Sequence, residues 1–113
     1  MEELEVQTYK FAVEGIGFVK SLEKEFPEIV PAELKYCMGN VSMKYIDALN
    51  SKENEDFAKN LRECYENAKK SSELLVKLEG ITNDSLLKQN EKLINDIKSI
   101  VEKLDNIKSK LIY

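Results

Sequence analysis

Apolar side chains recur at three- and four-residue intervals along nearly the whole chain, and the residues that break this rhythm are few and evenly placed. The first run extends from about Leu4 to Phe26 and stops at Phe26-Pro27, because proline disfavours helical geometry in the residue before it. Pro31 suits the first position of a second helix, predicted from about Ala32 to Leu49. The polar turn Asn50-Ser51-Lys52-Glu53-Asn54 follows, with Asn54 suited to cap a third helix that runs to about Glu79. Gly80 can take the left-handed conformation that closes a helix. Thr82, Asn83 and Asp84 compete as N-cap of a fourth helix, from about Ser85 to Lys110. Neither an alternating β-branched run nor an Asn-Gly hairpin signal intervenes. Four helices with short connections predict an all-α, up-down-up-down, left-handed four-helix bundle, a single domain over residues 1–113.

Each helix carries a core stripe. In the fourth it is Leu93, Ile97, Ile100, Leu104, Ile107 and Leu111; in the third, Phe57, Leu61, Cys64, Ala68, Leu75 and Leu78; in the second, Leu34, Met38, Val41, Tyr45, Ala48 and Leu49. The first two helices hold more apolar surface than one core requires. On the first, Val6, Tyr9, Val13 and Ile16 form one edge, and Leu4, Phe11, Gly15, Phe18 and Leu22 form another about half a turn from Tyr9. On the second, Tyr36, Met43 and Ile46 lie away from the main stripe, beside Gly39. A helix that is apolar on two sides has to bury both, and surplus of this kind marks association. The expected subunit interface is Leu4, Phe11, Gly15, Phe18 and Leu22 of the first helix with Tyr36, Met43 and Ile46 of the second. Gly15, Gly17 and Gly39 would let helices approach closely there.

Composition removes whole classes of function. The 113 residues include no His and no Trp. Without His there is no Ser-His-Asp or Cys-His pair, and common zinc and di-iron ligand sets lose their imidazole. The four glycines are scattered and form no phosphate loop. The expectation is a non-enzymatic protein with no catalytic residue, metal, cofactor or small-molecule substrate. No apolar run approaches the ~20 residues of a membrane span. The acidic start Met1-Glu2-Glu3-Leu4-Glu5 is unlike a secretory or transit peptide, so the chain reads as cytoplasmic. Cys37 and Cys64 then read as buried reduced thiols that pack as small hydrophobes.

The formal net charge is −4, but basic character rises along the chain, from −3 over residues 1–26 to +1 over residues 81–113. Lys59, Arg62, Lys69, Lys70 and Lys77 share a face of the third helix with Glu63, Glu66 and Glu73. Their i,i+4 order suits a solvated, salt-bridged surface, and the five basic residues are the second candidates for contact with nucleic acid. Lys88, Lys92, Lys103 and Lys110 line the fourth helix with fewer acids among them, and are the first candidates for contact with nucleic acid, where uncompensated charge supplies affinity.

The order of these features resembles a known family. Tyr9-Lys10-Phe11-Ala12, then Ile16, Val19 and Leu22-Glu23-Lys24-Glu25-Phe26-Pro27, looks like the opening helix of small bacterial four-helix-bundle proteins. Leu34, Ile46-Asp47-Ala48, Phe57, Leu61-Arg62, Leu74-Leu75, Leu78 and Gly80-Ile81 continue the correspondence over nearly the whole chain. The family includes the proteins encoded in intervening sequences of ribosomal RNA genes and the accessory variability determinant (Avd) proteins of diversity-generating retroelements. Asn40-Val41-Ser42-Met43-Lys44-Tyr45-Ile46-Asp47-Ala48 lacks the proline usual in the intervening-sequence branch and is closer to the Avd branch. The resemblance implies a ring-like homo-oligomer, typically a pentamer. For the Avd branch it implies an accessory or scaffold role binding a reverse transcriptase, RNA or both; for the other branch, a protein-interaction module without nucleic acid. The whole chain is acidic, and a paired basic position early in the second helix is Lys35-Tyr36 here.

Overall fold

The computed structural model describes residues 2–111, leaving Met1, Ile112 and Tyr113 outside the description. Four helices make up almost all of it: α1 (Glu3–Glu25), α2 (Leu34–Leu49), α3 (Asn54–Val76) and α4 (Asp84–Lys108), with a short 3-10 turn, Pro27–Ile29, after α1. There is no strand among the described residues. Each helix packs on the next and α4 closes back on α1, while the backbones of the two diagonal pairs stay farther apart. The result is a square bundle of 46 × 24 × 20 Å in which α1/α2 and α3/α4 form opposite long faces.

The breakers act where expected with four exceptions, one of them Asn54, which is the first residue of α3 while Glu53 stands at the cap position. Phe26 ends α1, its backbone N–H still reaching Leu22 O at 2.6 Å. Pro31 does not start α2; it opens a turn in which Leu34 N–H donates to Pro31 O, and the helix begins at Leu34. The third helix stops at Val76 instead of Glu79, and Lys77 N–H closes it on Glu73 O. Gly80 does have φ +89°, where only glycine is comfortable, but in the loop beyond the helix end. The fourth helix ends at Lys108, so Lys110 and Leu111 lie past it. Of the three possible caps for α4, Asn83 takes the role, its Oδ1 accepting from Leu86 N–H at 3.0 Å.

One core runs the length of the bundle, with Phe11, Phe18 and Leu22 of α1, Leu34, Met38 and Val41 of α2, Leu61 and Leu75 of α3, and Ile97, Ile100 and Leu104 of α4 fully enclosed. Cys64 is part of it; its thiol donates to Val41 O at 3.2 Å, and burial pushes its pKa up to about 12. Cys37 is buried and unpaired as well. Five hydroxyl- or amide-bearing side chains also lie inside: Thr8, Asn40, Ser42, Ser71 and Asn90. Asn90 Nδ2 donates to Leu75 O at 3.3 Å, while its Oδ1 and Ser71 Oγ have no protein partner.

Candidate interaction surface

The apolar surplus of the first two helices is real, but its two edges on α1 lie the other way round from the expected assignment. Leu4, Phe11, Gly15, Phe18 and Leu22 face inward and are buried within the single chain, so they offer nothing to a second subunit. The edge left at the surface is Tyr9, 58% exposed, and Val13, with Ile16 half-buried between the helices. The reason lies at Gly15. A side-chain carbon there would meet Met38 Sδ at 2.5 Å, so the glycine faces α2 and admits the Met38 side chain. Gly15 therefore serves close packing inside the bundle; Gly17 faces open space.

On α2, Tyr36 and Met43 are 71% and 60% exposed, and Ile46 stands at the surface beside them. The antiparallel register of α1 and α2 is set by Ile16 against Gly39 and by the Lys35–Glu23 ion pair at 3.1 Å. This register puts Val13 level with Met43 and Tyr9 level with Ile46. Tyr9, Val13, Ile16, Met43, Ile46 and Tyr36 thus form one apolar band along the outer α1/α2 face. Outside this band the large exposed apolar residues are Leu49, at the C-terminal end of α2, and Val76 and Leu87 on the α3/α4 side.

Charge is distributed along this face by end. Glu2 and Glu5 lie beside the Tyr45 hydroxyl, which donates to Glu2 Oε1 at 2.5 Å. Burial and the neighbouring Glu2 carboxylate push the Tyr45 pKa well above the usual phenol value. Asp47 is exposed at the same end. Lys20 and Lys24 are exposed toward the opposite end, on either side of Glu23 along α1.

The lysines of the fourth helix divide between two seams. Lys92 and Lys103 turn toward α1: Lys92 Nζ sits 3.0 Å from Glu14 and 2.7 Å from Asp96, and Lys103 Nζ lies 3.1 Å from Glu3 and 2.8 Å from Gln7 Oε1. Hydrogen bonds to Asp96 and Glu14 raise the Lys92 pKa. Lys88 and Lys110 are exposed. On α3, Lys70 reaches Glu33 across the helix boundary at 3.6 Å, Lys59 and Lys77 are exposed, and Arg62 is half-buried. Ion pairs also join α3 to its neighbours, including Lys44–Glu63 at 2.9 Å.

Sequence reasoning missed a second seam. Tyr65 is flanked by two ammonium groups, Lys108 Nζ 4.2 Å and Lys69 Nζ 5.4 Å from its ring centroid. Next to it Lys69, Ser72, Glu73, Lys98 and Val101 line a shallow hollow of about 260 Å³ between α3 and α4. Helical spacing could have found it, since Tyr65 and Lys69 are four residues apart, but Lys108 joins them only through the pairing of α3 with α4.

Among the described residues no three carboxylate or thiol side chains converge as a metal site, and no helix is long and apolar enough to cross a membrane. Comparison with protein-family models, with curated proteins and with solved structures finds no match to this chain in any of the three.

Proposed function

We propose that this protein is a non-enzymatic interaction subunit that associates with copies of itself through the outer α1/α2 face, and acts as an accessory or scaffold protein in that assembled form. The observation that carries this reading is the band of Tyr9, Val13, Met43, Ile46 and Tyr36, contiguous and left in solvent by a bundle whose core is already closed. Patches of this kind on a small domain mark association sites. The 46 × 24 Å long face is large enough to supply the ~800 Å² that a standard interface takes from each partner. Tyrosine suits such a surface, because its ring is buried in the complex while its hydroxyl stays at the wet rim. The test is sedimentation of wild-type protein beside Tyr9→Asp and Met43→Asp. Both variants should lose association and keep their helicity.

A second reading, RNA binding, is favoured by Tyr65 with Lys69 and Lys108 around it. A base can stack on an aromatic ring while neighbouring lysines meet phosphates. Glu73 in the adjoining wall works against a charge excess, which places this reading second. Lys92 and Lys103 lend it little, since both already hold carboxylates of α1. The reverse transcriptase implied by the Avd resemblance would, on either reading, be a partner of the assembled scaffold. RNA titrations over a salt series test it: Lys69→Glu with Lys108→Glu should weaken binding and flatten its salt dependence.

A further inference from the structure

Charge along the α1/α2 face has a direction, and direction decides how two copies can meet. At one end stand Glu2, Glu5 and Asp47; Lys44, near Asp47, is drawn toward α3 by its pair with Glu63. At the other stand Lys20 and Lys24, with Lys35 and Glu23 compensating each other; of the carboxylates there, Glu25 is turned to Asn83 and Glu33 to Lys70, and Glu28 is exposed in the turn after α1. Between them lies the apolar band centred near Val13 and Met43. Lys10 projects from the side of α1 away from α2, and Lys52 and Glu53 cancel in the turn that follows α2. Two copies laid face to face in the same direction would set lysines on lysines and carboxylates on carboxylates at both ends. Turned end for end, each acidic end falls on a basic one.

We infer that two copies pack α1/α2 against α1/α2 in antiparallel fashion, about a two-fold axis near Val13 and Met43, with Lys20 and Lys24 of each meeting Glu5 and Asp47 of the other. The inference rests on the self-association proposed above and adds its geometry. A two-fold contact uses one patch twice, whereas a closed ring or filament needs two different complementary patches. The other exposed apolar pair, Val76 and Leu87, is small and lies on the α3/α4 side, the face opposite the band. A contact between opposite faces would extend as a filament and would not close. The antiparallel pair satisfies the large patch and both charged ends at once. Charge opposition at the rim fixes register and excludes the parallel alternative.

The test is charge exchange. One protein carries Lys20→Glu with Lys24→Glu, the other Glu5→Lys with Asp47→Lys, and all four positions lie on the rim outside the core. Each variant alone should associate about tenfold or more weakly than wild type at low salt, an equimolar mixture should regain wild-type affinity, and the wild-type pair should weaken as salt rises. Three results would overturn the inference and leave self-association standing. They are charge variants that associate as wild type does, a Lys20→Glu/Lys24→Glu protein that pairs more tightly with wild type than wild type does with itself, and a wild-type assembly of five copies whose contacts survive both exchanges. Wild-type protein that stays monomeric at every concentration would overturn the self-association reading, and this geometry with it.

Discussion

Gly15 and Met38 are in contact only because residue 15 has no side chain: a carbon placed there would stand 2.5 Å from the Met38 sulfur. Met38 is fully enclosed, so its thioether cannot swing into solvent to make room. Gly15→Ala is therefore expected to destabilise the protein by about 1–3 kcal/mol, the usual cost of overpacking. That cost exceeds the gain from replacing a mid-helix glycine. Two residues on, Gly17 meets nothing within 4 Å, and Gly17→Ala should stabilise by about 0.5–1 kcal/mol. Urea unfolding followed by circular dichroism reads both. Gains of equal size would mean that α1 and α2 are not in the close contact described here.

The reversed edges of α1 give a sharper comparison. Phe11→Asp and Phe18→Asp place a carboxylate inside the core, at a cost on the order of several kcal/mol. Loss of cooperative unfolding and of helicity is expected. Val13→Asp, half a turn away at the surface, should leave the helical spectrum unchanged. A folded, dissociated Phe11→Asp protein would restore Phe11 to the interface.

Alkaline pH should weaken the fold through Cys64. Its thiol is neutral when protonated, and burial raises its pKa from 9.0 to about 12. Between those values the folded chain keeps a proton that the unfolded chain has released, so stability is full below about pH 9 and falls as pH rises, by about 1.4 kcal/mol per pH unit. Tyr45, raised from 10.0 by burial and by Glu2, acts in the same direction at higher pH. Unfolding midpoints from pH 8 to 11 should slope downward, and Cys64→Ala should reduce that slope whatever its effect on absolute stability. An unchanged slope would remove Cys64 as a source of the dependence.

Lys92 and Lys103 should behave as seam residues. Changing each to Glu removes pairs with Glu14, Asp96 and Glu3 and sets like charges beside them, but all are well exposed to solvent, so each substitution should cost about 1 kcal/mol, less at high salt. RNA affinity should be indifferent to them. A loss of RNA binding in Lys92→Glu with Lys103→Glu, alongside unchanged stability, would return the nucleic-acid surface to that side of α4.

Helix number and order were legible because the spacing of apolar residues, Phe26-Pro27 and the Asn83 cap are local signals. The start of α2 was not, since a proline opening a turn and a proline opening a helix read alike; only the Leu34–Pro31 hydrogen bond separates them. Periodicity likewise reveals that α1 has two apolar edges but not which neighbour each one meets. Residue chemistry held a clue. The edge with Phe11 and Phe18 carries no polar atom on its aromatic rings, whereas Tyr9 and Tyr36 bear hydroxyls that favour a position within reach of water. The lysines of α4 show the same limit: the Lys92–Asp96 pair is local, but Glu14 and Glu3, which draw Lys92 and Lys103 to α1, lie about 80 to 100 residues away in sequence.

The central claim is that the α1/α2 face joins copies of this chain. Sedimentation equilibrium over a wide concentration range, on wild-type protein and on Tyr9→Asp with Met43→Asp, tests it most directly. Wild type should show a mass that is a multiple of 13.0 kDa, and the double variant should stay at 13.0 kDa with an unchanged helical spectrum. A wild-type protein at 13.0 kDa throughout, or a variant that assembles as wild type does, would contradict the account.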